Sequence, residues 1–469
     1  MPIANPFAYF MLAVWPVVAV LLFSRLGKTR GLIWTILAGY MFLPPVIAID
    51  LPMIPDFDKY SIPNLAAAAV LFFLMKERFG LWPESRIVRG LILLYVLSPF
   101  ATVLTNGEPL YFEEATIPAV RIYDSLAVVA NQFITLLPFF MARRLISEDA
   151  GLHDLLVALV VAGLIYSLPM FVEARISPQL NLRLYGYFQH DFSQAVRFGG
   201  YRPFVFMPHG LWVAFFALMC LLSAVTLFRI GPAARRPGQL VIMVYLAVLL
   251  LYCRSAGPVL YALALVPLIL IAPRKVQIAV AVAMALVVIT YPLLRGLHLI
   301  PIQQILDLAM QFNEERGQSL AFRINNEELL LDRAALHPWF GWGGYGRSML
   351  HDAVTGQITV IADGGWIITL GVNGWTGYIA EFGLLVAPLV LIAREALSIP
   401  ARRIGPYLGT VALILAANLF DLLPNDTLIP FTWLIAGALL GRAEALAAER
   451  RADRVRAFVE QFPPGRTVI

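Results

Sequence analysis

Long apolar stretches separated by short polar connections set the pattern of this chain. They fall at about residues 9–23, 32–49, 62–75, 87–104, 120–141, 155–172, 203–228, 240–253, 258–272, 276–294, 364–393, 404–420 and 427–440. A helix needs roughly 20 apolar residues to cross about 30 Å of hydrocarbon, and most of these runs approach that length. The pattern predicts an all-α polytopic bundle of 12–13 spans. Several runs contain proline, at Pro16, Pro99, Pro138, Pro169 and Pro258. Such breaks persist in membranes where neighbouring helices or a water-filled cavity satisfy the freed backbone groups. The first run follows the uncharged MPIANPFAY and reads as a span, since a cleavable signal has a basic leading region.

The polar connections orient the bundle. Alternate ones hold Arg25, Lys28 and Arg30; Lys76, Arg78, Arg86 and Arg89; Arg143 and Arg144; Arg229, Arg235 and Arg236; Arg274 and Lys275; Arg394, Arg402 and Arg403. The tail RAEALAAERRADRVR continues the series. Basic residues collect in short cytoplasmic loops, so these connections and the C-terminus are expected inside, and the N-terminus outside. The outer side then carries two larger loops, at about 173–202 and 295–363. The resulting division is a helix bundle over 1–294, a long outer loop over 295–363, further spans over 364–445 and a basic tail over 446–469. In the long loop, SLAFRINNEELLLDRAALHPWFGWGGYG has apolar residues at helical spacing and ends in a proline and a glycine-rich turn. It is expected to lie along the membrane surface over a cavity.

Composition agrees with this picture and narrows the chemistry. The 469 residues are 60% hydrophobic and 14% charged, with a mean hydropathy of +0.76, well outside the range of a water-soluble domain. The net charge of +5 is spread over membrane connections, so nucleic acid is not an expected partner. Cys220 and Cys253 lie in apolar segments with no disulfide framework or metal-ligand spacing, and no metal or cofactor is expected.

Arginines and histidines on the outer side carry the candidate chemistry. Five of six histidines fall there: His190, His209, His298, His337 and His351. Arginine stays charged and binds phosphate bidentately, so a cluster near the membrane surface suits an anionic lipid head such as a pyrophosphate. Pairing with outer carboxylates or bulk lipid phosphates is the plainer alternative. RFGGYRPFVFMPHGLWVAFFAL places Arg197, Arg202 and His209 at the mouth of a span. LLYCRSAGPVLYALAL sets Arg254 between two apolar runs, where an arginine is costly unless paired or used. The long loop supplies Arg323, Arg333, His337, Arg347 and His351, and Asp363 follows in IADGGWIITLGVNGWTGY. Asp363 is equally readable as a helix N-cap and as a functional carboxylate. The glycines at 341–346 follow no strand, so a dinucleotide-binding loop is excluded.

Over roughly residues 187–393 the chain resembles the O-antigen ligase and Wzy-type polysaccharide polymerase superfamily. The resemblance rests on the Arg202-to-His209 stretch leading into a helix, the Arg254-Ser255 element, AALHPWFGWGGYG from Ala334 to Gly346, and DGGW from Asp363. It implies a fold of the C-type glycosyltransferase kind in a bacterial inner membrane, with its active face periplasmic. The implied reaction is metal-independent transfer of a glycan from undecaprenyl pyrophosphate to an acceptor hydroxyl. Arg197, Arg202, Arg254, Arg323, Arg333 and His209 would then bind the pyrophosphate, and Asp363, His337 or His351 would act as base. Ligases of this superfamily carry a His-Asn element before the helix that here follows Ala362-Asp363-Gly364. The acidic residue favours a polymerase over a ligase that transfers glycan to lipid A core. Membrane lipids and a chain-length regulator or flippase are the expected partners. A transporter of a lipid-linked anion is the competing class. It would need charge deep in the spans, for which Glu381 and Asp124 are the main candidates.

Overall fold

The computed structural model describes residues 4–51, 55–197, 199–312 and 314–461. Fifteen α-helices account for most of them: α1 (Pro6–Phe42), α2 (Ser61–Ala69, prolonged by a π-turn over Val70–Leu74), α3 (Arg86–Thr105), α4 (Ile122–Leu145) and α5 (Asp149–Ile176). They continue as α6 (Leu180–Tyr185), α7 (Gly210–Ile230), α8 (Arg236–Tyr252), α9 (Ala256–Ile271), α10 (Arg274–Gly296), α11 (Ile302–Phe312) and α12 (Glu314–Ala335). The last three are α13 (Gly365–Ser398), α14 (Leu408–Asp421) and α15 (Pro430–Gln461). Strand pairing among the described residues is confined to three two-residue ladders and one isolated bridge. The protein is a multi-pass all-α membrane protein. Among the described residues, nine helices are long and apolar enough to cross a bilayer, and α2 with its π-turn, α9 and α14 are shorter apolar helices.

Each of the thirteen apolar runs carries a helix, and twelve helices hold them because the first two runs share α1. Gly27, at φ +77°, breaks α1 without ending it. A Cβ on Gly31 would meet Phe23 at 2.8 Å, and one on Gly39 would approach Trp15 Nε1 to 3.4 Å. Positions 23 and 31, and 15 and 39, are equally far from Gly27, so the two halves lie antiparallel as a tight hairpin. The second run stops being helical at Phe42, short of the expected end at 49.

α13 breaks in the same way at Gly374, φ +64°. The glycine-rich turn of the long loop closes this break. Trp375 N donates to Pro338 O (2.8 Å) and Thr376 N to Trp339 O, while Trp342 N and Gly343 N donate to Gly371 O and Val372 O (2.9 Å each). A side chain at Gly341 or Gly374 would bring its Cβ within 2.4–2.5 Å of the opposing backbone. The HPWFGWGG stretch thus supplies the partners that a broken membrane helix loses.

The bundle has two unlike faces. At one, the basic face, α15 extends beyond the apolar core and ties to the segment just before α3 and to α4 through Arg451–Glu84 (2.6 Å) and Arg143–Glu444 (2.7 Å). The tail expected at 446–469 is therefore helical to Gln461, and 462–469 lie outside the described residues. The other, the loop face, carries the 177–209 loop, α11 and α12. α12 contains the helix expected in the long loop and begins earlier, at Glu314. α11 was not foreseen, because the expected helix began only near residue 319.

Candidate functional site

Two helices that approach the loop face are short. At 1.5 Å per residue, α9 and α14 span only about 21–24 Å, less than the roughly 30 Å of a hydrocarbon core. Their loop-face ends, at Cys253–Ser255 and Asp421–Asp426, are accordingly sunk into the bundle. A cavity of about 790 Å³ occupies the depression. The 190–212 segment forms one wall and the α8–α9 junction another. Arg323 of α12, residues 361–363 before α13, and the α14–α15 turn complete it.

Four arginines from three separate segments meet here: Arg197, Arg202, Arg254 and Arg323. Arg202 is 5% exposed, and its Nη2 donates to Ser255 Oγ at 2.5 Å. Its Nε has no hydrogen-bond partner, and no carboxylate among the described residues lies within ion-pair distance of it. Burial and the nearby Arg197 lower its pKa to about 10, so it remains charged at neutral pH. Arg254 occupies the α8–α9 junction at φ +50° and donates through Nη1 to Arg197 O (2.9 Å). Its guanidinium lies on Gly200, where a Cβ would come 2.3 Å from Nη2. Glycine at 200 is what lets the two segments close. Arg197 donates to Gln194 Oε1 (2.9 Å), and Arg323 faces Asp363 at 3.4 Å.

His209 caps α7, its Nδ1 accepting from Leu211 N (3.1 Å), and stacks near His190 with ring centroids 4.7 Å apart. Burial, then the charges of Arg202 and other neighbours, push its pKa down to about 3. It is a neutral ring held in place.

The loop that carries Arg202 and His209 is anchored by buried groups that sequence reasoning missed. Glu173, 1% exposed at the end of α5, accepts from Phe204 N (2.8 Å), Val205 N (2.7 Å) and Leu180 N (2.9 Å). Tyr166 OH accepts from Phe206 N, and Gln189 donates to the carbonyls of Val205 and Met207. Buried Lys59 donates to Leu43 O (2.8 Å) and Phe206 O. The available signal was a set of polar residues at or near span ends, where burial demands a partner.

The opposite wall is acidic. Asp421, 2% exposed, accepts from Asn425 Nδ2 (2.9 Å) and Thr427 Oγ1 (2.8 Å). Asp426 is open to solvent yet crowded by protein, and burial raises its carboxyl above the ordinary range. Asp363 is brought beside this turn by Gly365 N to Asn425 O (3.1 Å) and Trp366 N to Leu422 O (3.3 Å). The expected N-cap role of Asp363 is not what the structure has: Gly364 is the N-cap of α13, and no side chain caps it.

Arg333, His337 and His351 do not reach the cavity. Arg333 lies over the Trp342 ring at 3.4 Å and donates to Arg347 O (3.0 Å). His337 packs on the other contact of the same indole, with centroids 3.8 Å apart. His351 sits in a bridge with Ile358 beside Phe112. These residues belong to the scaffold of the glycine-rich turn. Asp124, one of the two charges weighed for a transport path, accepts from Arg121 N and Tyr345 OH and caps α4. Among the described residues, no three His, Cys, Asp or Glu side chains converge to hold a metal ion.

At the Arg254 corner the cavity shares Arg254, Ser255 and Ala256 with a second depression of about 490 Å³ completed by Leu251, Tyr252 and Val259. Leu251 is 61% and Tyr252 48% exposed. On a membrane protein such side chains face lipid, so the guanidinium wall borders a lipid-facing groove. No family model and no curated protein matches this chain.

Proposed function

We propose that the cavity binds the pyrophosphate of a polyprenyl-linked oligosaccharide and transfers the glycan to the hydroxyl of another, as a polysaccharide polymerase does. The convergence of Arg197, Arg202, Arg254 and Arg323 on one cavity beside a lipid-facing groove carries this reading. On it, the loop face is the periplasmic side of a bacterial inner membrane, as the charge asymmetry of the connections favours. The donor's apolar chain lies along Leu251, Tyr252 and Val259, and its pyrophosphate against the guanidinium groups.

The reaction follows from the two walls. An acceptor hydroxyl attacks the anomeric carbon, the new C–O bond forms as the bond to pyrophosphate breaks, and the hydroxyl proton passes to a carboxylate. Asp363 is the proposed base, with Asp426 its rival. Negative charge gathers on the departing pyrophosphate, and prearranged guanidinium donors stabilise it there. The anchoring of the 203–207 loop supports this reading, because donors that need not reorganise act most strongly.

Purified protein given undecaprenyl-pyrophosphate-linked repeat units tests the proposal. A ladder of products is expected. Single transfer to a lipid A core acceptor without a ladder would make the protein a ligase. No glycan transfer at all would overturn the enzymatic reading.

A further inference from the structure

At the basic face, the far end of α14 takes part in a second polar cavity of about 260 Å³, lined by Thr226, Arg229, Arg274, Gln277, Pro406 and Thr410 along with Ile230 and Ile269. We propose that this cavity is a binding site for a phosphate group, distinct from the cavity at the loop face and independent of the glycosyltransfer reading.

The lining is built for an anion. Arg229 donates through Nη1 to Ile269 O and to Ala272 O (2.8 Å), and Arg274 donates through Nη1 to Ile404 O (3.0 Å). Those bonds fix both guanidinium groups against carbonyls. Their remaining nitrogens make no hydrogen bond, and neither arginine has an ion-pair partner, among the described residues. Asp149, which packs against Gly405 near the cavity, lies 3.6 Å from Arg442. Two positive charges thus share a cavity to which no carboxylate contributes.

Backbone geometry adds to them. α10 begins at Arg274 and α14 at Leu408, so the N-terminal turns of two helices of 23 and 14 residues adjoin the same cavity. Neither helix has a side-chain cap, and neither has an acidic residue in its first turn. Unpaired N–H groups and the helix dipole favour an anion at such a position. Thr226 Oγ1 donates to Leu222 O, so Thr410 Oγ1 donates to Thr226 (2.6 Å), and Gln277 Nε2 is spent on Ile269 O and Ala272 O. The wall is polar and satisfied, and contacts to an anion fall to the two guanidinium groups and the helix N-termini. The volume suits one phosphate with a small substituent. A phosphodiester lipid headgroup and a free phosphate compound share this chemistry. An occupant would pin the end of α14 whose other end places Asp421 in the loop-face cavity.

The test uses the full-length protein in nanodiscs of phosphatidylcholine with or without phosphatidylglycerol, read by native mass spectrometry, and thermal unfolding in detergent with inorganic phosphate. Wild type is expected to retain phosphatidylglycerol preferentially or to be stabilised by phosphate. Arg274→Gln and Arg229→Gln should each weaken this at least about tenfold, the scale of one charge-assisted contact. Arg403→Gln, which removes another basic-face arginine, should not. Should a glutamine variant fail to fold, Arg274→Lys and Arg229→Lys serve instead, each expected to weaken phosphate retention by losing the guanidinium fork. Displacement of the retained lipid by inorganic phosphate marks a free phosphate compound as the occupant; lipid retention that phosphate does not disturb marks a headgroup. Equal retention and equal stabilisation in wild type, Arg274→Gln and Arg229→Gln would overturn the proposal.

Discussion

Arg202 shows how much of this site depends on single side chains. Its guanidinium is buried, bonded to Ser255 and left with an unpartnered Nε, and the residue lines the cavity. Lysine would keep the charge but lose the fork, so Arg202→Lys should lower transfer by about 10²-fold, the scale of one lost transition-state donor. Steady-state transfer rates would check it, and an unchanged rate would remove Arg202 from the site. Asp363→Asn should abolish the base and cost about 10²–10⁴-fold in rate, while Asp426→Asn should leave most activity. The reverse order would make Asp426 the base, a result consistent with the upward push of burial on its carboxyl. His209 gives a pH signature. The folded ring binds its proton only near pH 3, whereas an unfolded histidine does so near 6.5. Between those values the unfolded state holds the extra proton, so stability is complete above about pH 6.5 and falls as pH drops towards 3. His209→Asn keeps a capping acceptor without the titration, and its thermal midpoint should fall less than that of wild type below pH 6.5. Parallel curves would contradict the neutral cap.

Between residues and the whole stand the elements whose interruptions shape the protein. Gly27 folds α1 back on itself within the Arg25–Arg30 connection that the pattern had already set between two runs, whereas the break of α13 at Gly374 was not visible in hydropathy, which registers length and apolarity but not φ. The HPWFGWGG motif was noticed in the sequence, but its use was not. It closes the backbone of α13 at Gly374, and this explains why His337 and Arg333, chosen for their chemistry, are occupied by Trp342. Gly341→Ala would force a Cβ to 2.4 Å from Val372 O at a positive φ, and should cost at least about 1–3 kcal/mol. Thermal unfolding in detergent would register it, and an undisturbed midpoint would refute the splice. Glu173 acts through the loop it holds. Glu173→Gln exchanges one acceptor oxygen for donors facing backbone N–H groups, and should lower transfer by loosening Arg202 while donor-lipid retention in the Leu251 groove persists. A rate and affinity both unchanged would leave Glu173 a bystander.

At the scale of the molecule, the hydrophobic pattern made the membrane fold legible, since apolar runs of this length allow little else. The arginines of the 197–202 segment, Arg254 and Arg323 were legible as a group because charge beside hydrocarbon is costly. Their convergence was not, because it depends on two short helices that sink their ends and on anchors such as Lys59 and Glu173 far away in sequence. The acidic wall at Asp421 and Asp426 was missed for the same reason: a turn between two apolar runs gives no sign of its depth. The arrangement places a cationic wall, an acidic wall and a lipid-facing groove around one cavity, and the central claim is that this cavity receives a lipid pyrophosphate. Native mass spectrometry of the protein with undecaprenyl pyrophosphate, wild type against Arg202→Ala and Arg254→Ala, measures that directly. One lipid bound to wild type and affinity reduced at least about tenfold in each variant is the expected result; equal binding in all three would contradict it.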